Sequence, residues 1–319
     1  MYSKISAIGH YLPETLLTNS DLSNTFNVSE ERIFQVSGIK ERRIGQEMTN
    51  ADLVSKAIIS LFDKFKIDPD SIDCLILGTV TPDFFFPSTS VSVINKLKLK
   101  NAWAFDISAA CSGFCYGLHI ADSMIKSGQS QRILVCGSEK MSSTLKNYEY
   151  NTSILFGDGC GVALIEKTSK DQSSILNSKC DVIADHLEDV YLNTPFTRDW
   201  SNSNFELKGS SVYRNGVNYT IDSIKQFLSH HQLSLDDFDF IIPHQANSRI
   251  ITSIALGLEC STSKFLTNIE FVGNTAAASI PICLSQKFEE GLIKKGMRLL
   301  LTSFGAGYTI SNVDLIWSL

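Results

Sequence analysis

An α/β fold built from two similar halves is predicted by three features of this 319-residue chain. First, short continuous apolar runs such as CLILG (74–78), RILVCGSE (132–139), FIIPH (240–244) and RLLLTSFG (298–305) read as buried strands. Second, stretches with apolar residues at helical spacing lie between them. Third, the runs repeat: Leu75 to Ile133 spans 58 positions, and Ile241 to Leu299 spans 58 again. Between each pair a strand feeds a small-residue helix start, AACSGF in the first half and VGNTAAAS in the second. Such a duplication implies two related sheets with helices packed on them. The polar stretch 167–190 marks the seam, which gives halves of 1–170 and 171–319.

The elements follow in order. Residues 3–9 form a first strand, stopped by Gly9 and Pro13. Asn19 and Asp21 open a short helix, and Ser29 followed by Glu30 and Glu31 opens another. GIKERRIG (38–45) reads as a basic loop or edge segment. Leu53, Ala57, Ile58, Leu61 and Phe65 set a helix over 50–65, and CLILGT (74–79) is a buried strand. The proline-bounded TPDFFFP (81–87) is a loop, followed by a helix over about 88–98. A buried strand through Trp103, Phe105 and Ile107 then leads to Cys111, and Phe114, Leu118, Ala121 and Ile125 place a helix directly after it.

Composition limits the function classes. The chain is 43% hydrophobic and 19% charged with a net charge of −6, which argues against nonspecific nucleic-acid binding. Eight cysteines are scattered without a CxxC pair or Cys/His ligand spacing, so a reduced cytoplasm is expected, with neither a disulfide framework nor a metal site. The amino-terminal MYSKISAIGHYLPETLL lacks the apolar core of a signal peptide, and no 18-residue apolar run predicts a membrane span.

Three positions carry chemistry. Cys111 sits at the amino end of an apolar helix, where free N–H groups and the helix dipole favour a thiolate and can lower its pKa from about 8.5 to roughly 3.5–7.5. A structural cysteine in a small-residue turn is the alternative. In PHQANSRI (243–250), His244 follows a strand and precedes a helix, placed to hydrogen-bond an oxyanion or relay a proton, or else to be a satisfied core histidine. In GNTAAASIP (273–281), Asn274 offers an amide donor that does not titrate, or a helix cap. FGDGCG (156–161) lacks the lysine and spacing of a phosphate loop. Pseudo-twofold packing of the halves would bring Cys111 against Gly273-Asn274 as its counterpart, with His244 pointing at the same place.

GIKERR (38–43), DISAACSGF (106–114), ILFGDGCG (154–161), PHQAN (243–247), GNTAAASIP (273–281) and SFGAGYT (303–309) together resemble the β-ketoacyl-acyl-carrier-protein synthase III family of the thiolase superfamily. The resemblance implies a thiolase-like fold, two pseudo-symmetric βαβ halves in a five-layer αβαβα arrangement. It implies that Cys111 is acylated from an acyl thioester and that His244 and Asn274 stabilise the enolate of decarboxylated malonyl-acyl-carrier protein, giving a 3-oxoacyl product. Backbone N–H groups of Cys111 and of the turn at Ala306 and Gly307 would form an oxyanion hole. No cofactor is implied; coenzyme A or phosphopantetheine thioesters are substrates. Asn247 matches the position that holds the pantetheine arm, and Gly209 belongs with the substrate-binding positions. Phe86 matches a residue reaching into the acyl pocket of the partner in a homodimer, with Phe156 as a second wall. Arg214 and Arg249 match basic docking positions for acyl carrier protein.

The sequence departs from the family pattern at the thioester carrier. The aromatic and arginine positions that grip the coenzyme A adenine hold Arg32 and Tyr150, a nearby arginine position holds Val36, and the docking helix reads Leu256-Gly257. Either Arg32 and Tyr150 form an inverted stacking pair, or the adenine grip is lost and the donor arrives on a carrier protein. A specialised polyketide or lipid pathway is therefore favoured. Two other functions share these residues: transfer of the Cys111-bound acyl group to an oxygen or nitrogen nucleophile, and a non-catalytic partner subunit. Acyl chain length depends on rotamers and on loops such as 187–212.

Overall fold

Two sheets carry the duplication into three dimensions. The computed structural model describes residues 1–145, 149–193 and 205–319, so part of the 187–212 segment lies outside the described residues. Tyr2–Tyr11, Asp158–Thr168, Arg132–Lys140, Cys74–Gly78 and Trp103–Ile107 form a five-stranded sheet in that order. Phe240–Pro243, Arg298–Gly305, Thr309–Ile316 and Ile175–Val182 form a four-stranded one. The register repeats to the residue. Leu75 pairs in parallel with Leu134, and Ile241 with Leu300, an offset of 166 in both strands.

The layers follow from which faces are apolar. Gly113–Ser127 and Ser279–Glu289 lie between the sheets. Their Phe114, Leu118, Ile125, Ile280 and Leu284 share one core with Ile76 and Ile133 of the first sheet and with Ile242, Leu301 and Val313 of the second. Asn50–Phe65 covers the outer face of the first sheet, and Gly209–His231 with Ser248–Gly257 covers that of the second. The result is the five-layer αβαβα arrangement. Capping begins the helices where the sequence indicates: Ser29 accepts from the Arg32 N–H, and Thr49 and Asp52 form a reciprocal capping box.

Each half bends its central helix start in the same way. Ala110 and Ala276 hold φ of 46° and 44°, left-handed conformations that cost a non-glycine residue about 1–3 kcal/mol. Each opens a one-turn 3-10 helix, Ala110–Ser112 and Ala276–Ala278, which passes directly into the central helix. The offset of 166 therefore makes Ala277 the counterpart of Cys111, rather than Gly273-Asn274 as the motifs suggested. The glycine and asparagine lie one turn earlier in the same loop, which is why two superficially similar small-residue motifs align out of register.

Two other expectations change. The strand before Cys111 is an edge strand, not a buried one: Trp103 is 53% exposed and stacks on Phe105 at 5.5 Å. GIKERRIG holds the short strand Glu41–Arg43, in keeping with an edge segment, but its Arg42 is fully buried, donating to the Asn19 side chain at 2.7 Å and to the Ile154 carbonyl. Burial lowers the Arg42 guanidinium to about 10.

Contact at the centre tolerates no extra atoms. A Cβ on Gly137 would lie 2.2 Å from the Ala277 carbonyl oxygen, whereas one on Gly209 would meet nothing within 4 Å. Gly137→Val is therefore expected to cost about 3 kcal/mol and lower Tm by several degrees, and Gly209→Val to change stability by less than about 0.5 kcal/mol. Thermal melts of the two variants check this; equal Tm values would refute it.

Candidate active site

A cavity of about 540 Å³ opens where the amino ends of the two central helices face each other. Cys111 and Phe156 reach it from the first half, and His244, Asn274 and Ala306 from the second. Long sequence separations thus converge on one space, as the duplication required.

Each polar group is fixed by its local element. The His244 N–H donates to the Thr302 carbonyl at 2.8 Å, continuing the parallel pairing of its strand. Its Nδ1 lies 2.8 Å from Ser279 Oγ, and its ring packs edge-on against Phe304 at 5.4 Å. Burial holds the imidazole down at about 3, so it is neutral at pH 7. The Asn274 Oδ1 accepts the Ala276 N–H at 2.9 Å and its Nδ2 donates weakly to the Ala246 carbonyl at 3.4 Å. Those two partners decide which end of the amide is nitrogen. The backbone of Asn274 is clamped to the segment bearing Phe156, through Asn274 N to the Leu155 carbonyl and Gly157 N to its own carbonyl.

Cys111 stands in the 3-10 turn, half-buried against Met141, Phe156 and Ala276. Its backbone nitrogen is in close contact with Gly305, where a Cβ would come within 2.7 Å. The position at the helix start matches the expectation, but the electrostatics reverse it. Burial, then the nearby Glu139 charge, pushes the thiol up to about 12, and a backbone hydrogen bond opposes them only in part. Glu139 is fully buried and held by the Val80 N–H and the Thr79 and Thr81 hydroxyls. Burial raises its carboxyl to about 7 against those donors. In the resting site the sulfur is a neutral thiol beside a neutral imidazole.

The model for 3-oxoacyl-[acyl-carrier-protein] synthase III matches residues 105–182, and the model for the C-terminal part of the same enzyme matches 228–317. A β-ketoacyl-[acyl-carrier-protein] synthase III from Clostridium tetani is 39% identical, with 98% of each chain covered. The chain belongs to the β-ketoacyl-acyl-carrier-protein synthase III family. The solved synthase III from Aquifex aeolicus superposes with a TM-score of 0.92 at 37% identity, covering 99% of this chain and 100% of that one. The priming β-ketosynthase of the R1128 polyketide pathway gives 0.92 at 28% identity, covering 99% and 96%. The protein is a synthase III-like condensing enzyme of the acyltransferase class.

Of the remaining candidate residues, Phe156 and Ala306 line the cavity and the others lie outside its wall. Phe156 is buried in the wall and meets Phe205 edge-on at 5.2 Å. Ala306 lines the cavity, and the adjacent Gly307 turns with a φ of 112°. Phe86 is 84% exposed and lines a neighbouring hollow with Phe84 and Phe85. Asn247 caps the helix Ser248–Gly257, its Oδ1 accepting from Arg249 N at 2.8 Å and its Nδ2 donating to the Val36 carbonyl at 2.9 Å. Arg32 is exposed, while Tyr150 packs edge-on against Phe26 at 5.7 Å in a small cluster with Leu22 and Ile33. Gly209 is exposed at the start of the helix Gly209–His231. Arg214 lies on that same helix and Arg249 on the adjoining one, its guanidinium 5.8 Å above the Tyr213 ring. Both arginines are exposed.

Sequence reasoning missed Ser279, Phe304 and Glu139. The repeat offset contained the signal for Ser279; nothing local marked Glu139.

The raised thiol has a measurable consequence. Only the thiolate alkylates, so the rate of iodoacetamide reaction at Cys111 should climb about tenfold per pH unit from pH 7 to 9 without levelling. Stopped labelling followed by peptide mass analysis reads it, and a plateau in that range would show a depressed pKa instead.

Proposed function

We propose that Cys111 is the acyl-accepting nucleophile and that His244 and Asn274 stabilise the enolate in a decarboxylative condensation. The observation that supports this is the convergence of a thiol, an imidazole and an oriented amide on one cavity. The Cys111 sulfur attacks the acyl thioester carbonyl, the carrier's C–S bond breaks, and the thiol proton leaves with the carrier thiol. The charge that builds on the carbonyl oxygen is received by the backbone N–H of Cys111 and by that of the turn at Ala306 and Gly307. Malonyl-acyl-carrier protein then loses carbon dioxide. The electron pair of the broken C–C bond passes into the thioester as an enolate, whose oxygen accepts from His244 and Asn274. Its α-carbon attacks the acyl group, and the Cys111 thiolate departs as the 3-oxoacyl product forms. Decarboxylation itself supplies the carbanion, so the reaction calls for no metal or redox cofactor.

The high thiol pKa fits this order of events. Thiolate forms when the substrate is in place, and the apolar lining keeps water from the acyl-enzyme. Phe156 and Phe86 wall the acyl pocket, the latter in a homodimer, with Arg214 and Arg249 meeting the acidic carrier protein. The exposed edge strand Trp103–Ile107 and the aromatic Phe84–Phe86 loop supply a surface for that second copy. Residues 1–170 and 171–319 act as the two halves, and the eight free cysteines suit a reducing cytoplasm. Because Tyr150 is packed on Phe26 and Val36 offers no charge, the acyl donor is assigned to a carrier protein in preference to coenzyme A, in a specialised lipid or polyketide pathway.

Intact-protein mass spectrometry tests the reading, with acyl groups supplied on each carrier and malonyl-acyl-carrier protein added afterwards. Wild type should gain the acyl mass and lose it with release of carbon dioxide, whereas Cys111→Ala should gain none. His244→Ala and Asn274→Ala should acylate but condense about 10²–10³-fold more slowly. Condensation by Cys111→Ala would overturn the reading.

A further inference from the structure

The duplicated fold places a polar pair in the second half where the first half has two glycines. At the offset of 166, Gly78 corresponds to His244 and Gly113 to Ser279. In the first half strand end and helix start touch: a Cβ on Gly78 would lie 2.5 Å from the Gly113 carbonyl carbon. At the equivalent crossing in the second half stand an imidazole and a hydroxyl, 2.8 Å apart and only 3% and 2% exposed. A buried polar contact at this position is therefore a substitution made on a scaffold that otherwise closes without it.

The hydrogen positions can be assigned from the neighbours. The Gln245 backbone N–H donates to Ser279 Oγ at 3.3 Å. It is a fixed donor and occupies one lone pair of that oxygen. The hydroxyl has a single proton, and His244 Nδ1 is the one acceptor it is partnered with among the described residues. An Nδ1–H could use the second lone pair but would leave that buried proton without an acceptor, so the proton is placed toward Nδ1. The buried ring is neutral, so its own N–H must sit on Nε2. Nε2 has no hydrogen-bond partner among the described residues, and the ring lines the Cys111 cavity.

We propose that Ser279 is a positioning residue that locks His244 in the Nε2–H tautomer, making the imidazole a standing hydrogen-bond donor to the cavity and unfit to take the Cys111 proton. This rests on the reading of His244 as an enolate stabiliser. The two half-reactions then differ in their need for Ser279. Acylation draws its stabilisation from backbone donors and loses its proton to the departing carrier, so the tautomer matters little. Decarboxylation needs the N–H aimed at the enolate oxygen, so it depends on the lock. Asn274, whose Nδ2 donates to the Ala246 carbonyl while its Oδ1 accepts the Ala276 N–H, shares the same fixed-donor design.

The test combines a spectroscopic signature with a kinetic split. Protein labelled with 15N-histidine, with the His244 signals assigned by their loss in His244→Asn, should show a protonated Nε2 and a bare Nδ1 at pH 7. A protonated Nδ1 overturns the proposal without any Ser279 variant. Ser279→Ala should slow condensation about tenfold more than it slows acylation, the worth of one neutral hydrogen bond, and should populate both tautomers. Ser279→Thr, which keeps the hydroxyl, should restore the Nε2–H signal and most of the rate. Equal losses in both half-reactions, or full condensation by Ser279→Ala, would refute it. His244→Ala run in parallel separates the failures: if it condenses at the wild-type rate, the enolate role of His244 falls first.

Discussion

Close packing of two helix starts between two sheets governs this molecule. The first turns of Gly113–Ser127 and Ser279–Glu289 meet at the middle of the αβαβα stack, where Gly78, Gly113, Gly137 and Ala277 bring backbone against backbone. Left-handed alanines at 110 and 276 bend the chain into each turn. Strain of that kind persists only where surrounding packing over-determines it, and here the core on both sides does so. The same two turns line one cavity through Ala110, Cys111 and Ala276, so the packing constraint and the site are a single feature.

Much of this was legible in the sequence because the burial pattern is strong. Central strands such as CLILG and FIIP are apolar throughout, and helix starts carry Ser29 and Thr49 as caps. The repeat spacing also located the site, since equal intervals between strands force the loops after them to converge. Three things were hidden. Trp103–Ile107 looks buried because an aromatic-rich edge strand has the same letters as an interior one; only the sheet order distinguishes them. The thiol pKa went wrong because a helix start was weighed without its surroundings. Burial, and the charge of Glu139, which lies 28 residues from Cys111 in sequence, raise the thiol against an opposing backbone hydrogen bond. Arg42 misled for a similar reason: three successive charged residues conceal one that points inward to Asn19 and Ile154.

The candidate residues divide by how they are held. Cys111, His244, Ser279 and Asn274 are held by backbone and buried partners, whereas Arg32, Gly209, Arg214 and Arg249 stand in solvent. The polar groups of the cavity therefore sit on the duplicated framework, and these exposed residues lie outside it. Tyr150 illustrates the boundary, since its ring serves a small local cluster with Phe26 and Leu22.

The half-covered strand Trp103–Ile107 has a consequence unrelated to turnover. Its one charge, Asp106, is turned to the start of the helix Thr89–Leu97, accepting from the Thr89 and Ser90 N–H groups at 2.8 and 2.9 Å. Natural sheets usually guard an open margin with a lysine, a proline or a bulge, and this one presents tryptophan instead. The open margin thus carries the feature that favours strand addition, an aromatic edge with its one charge turned inward.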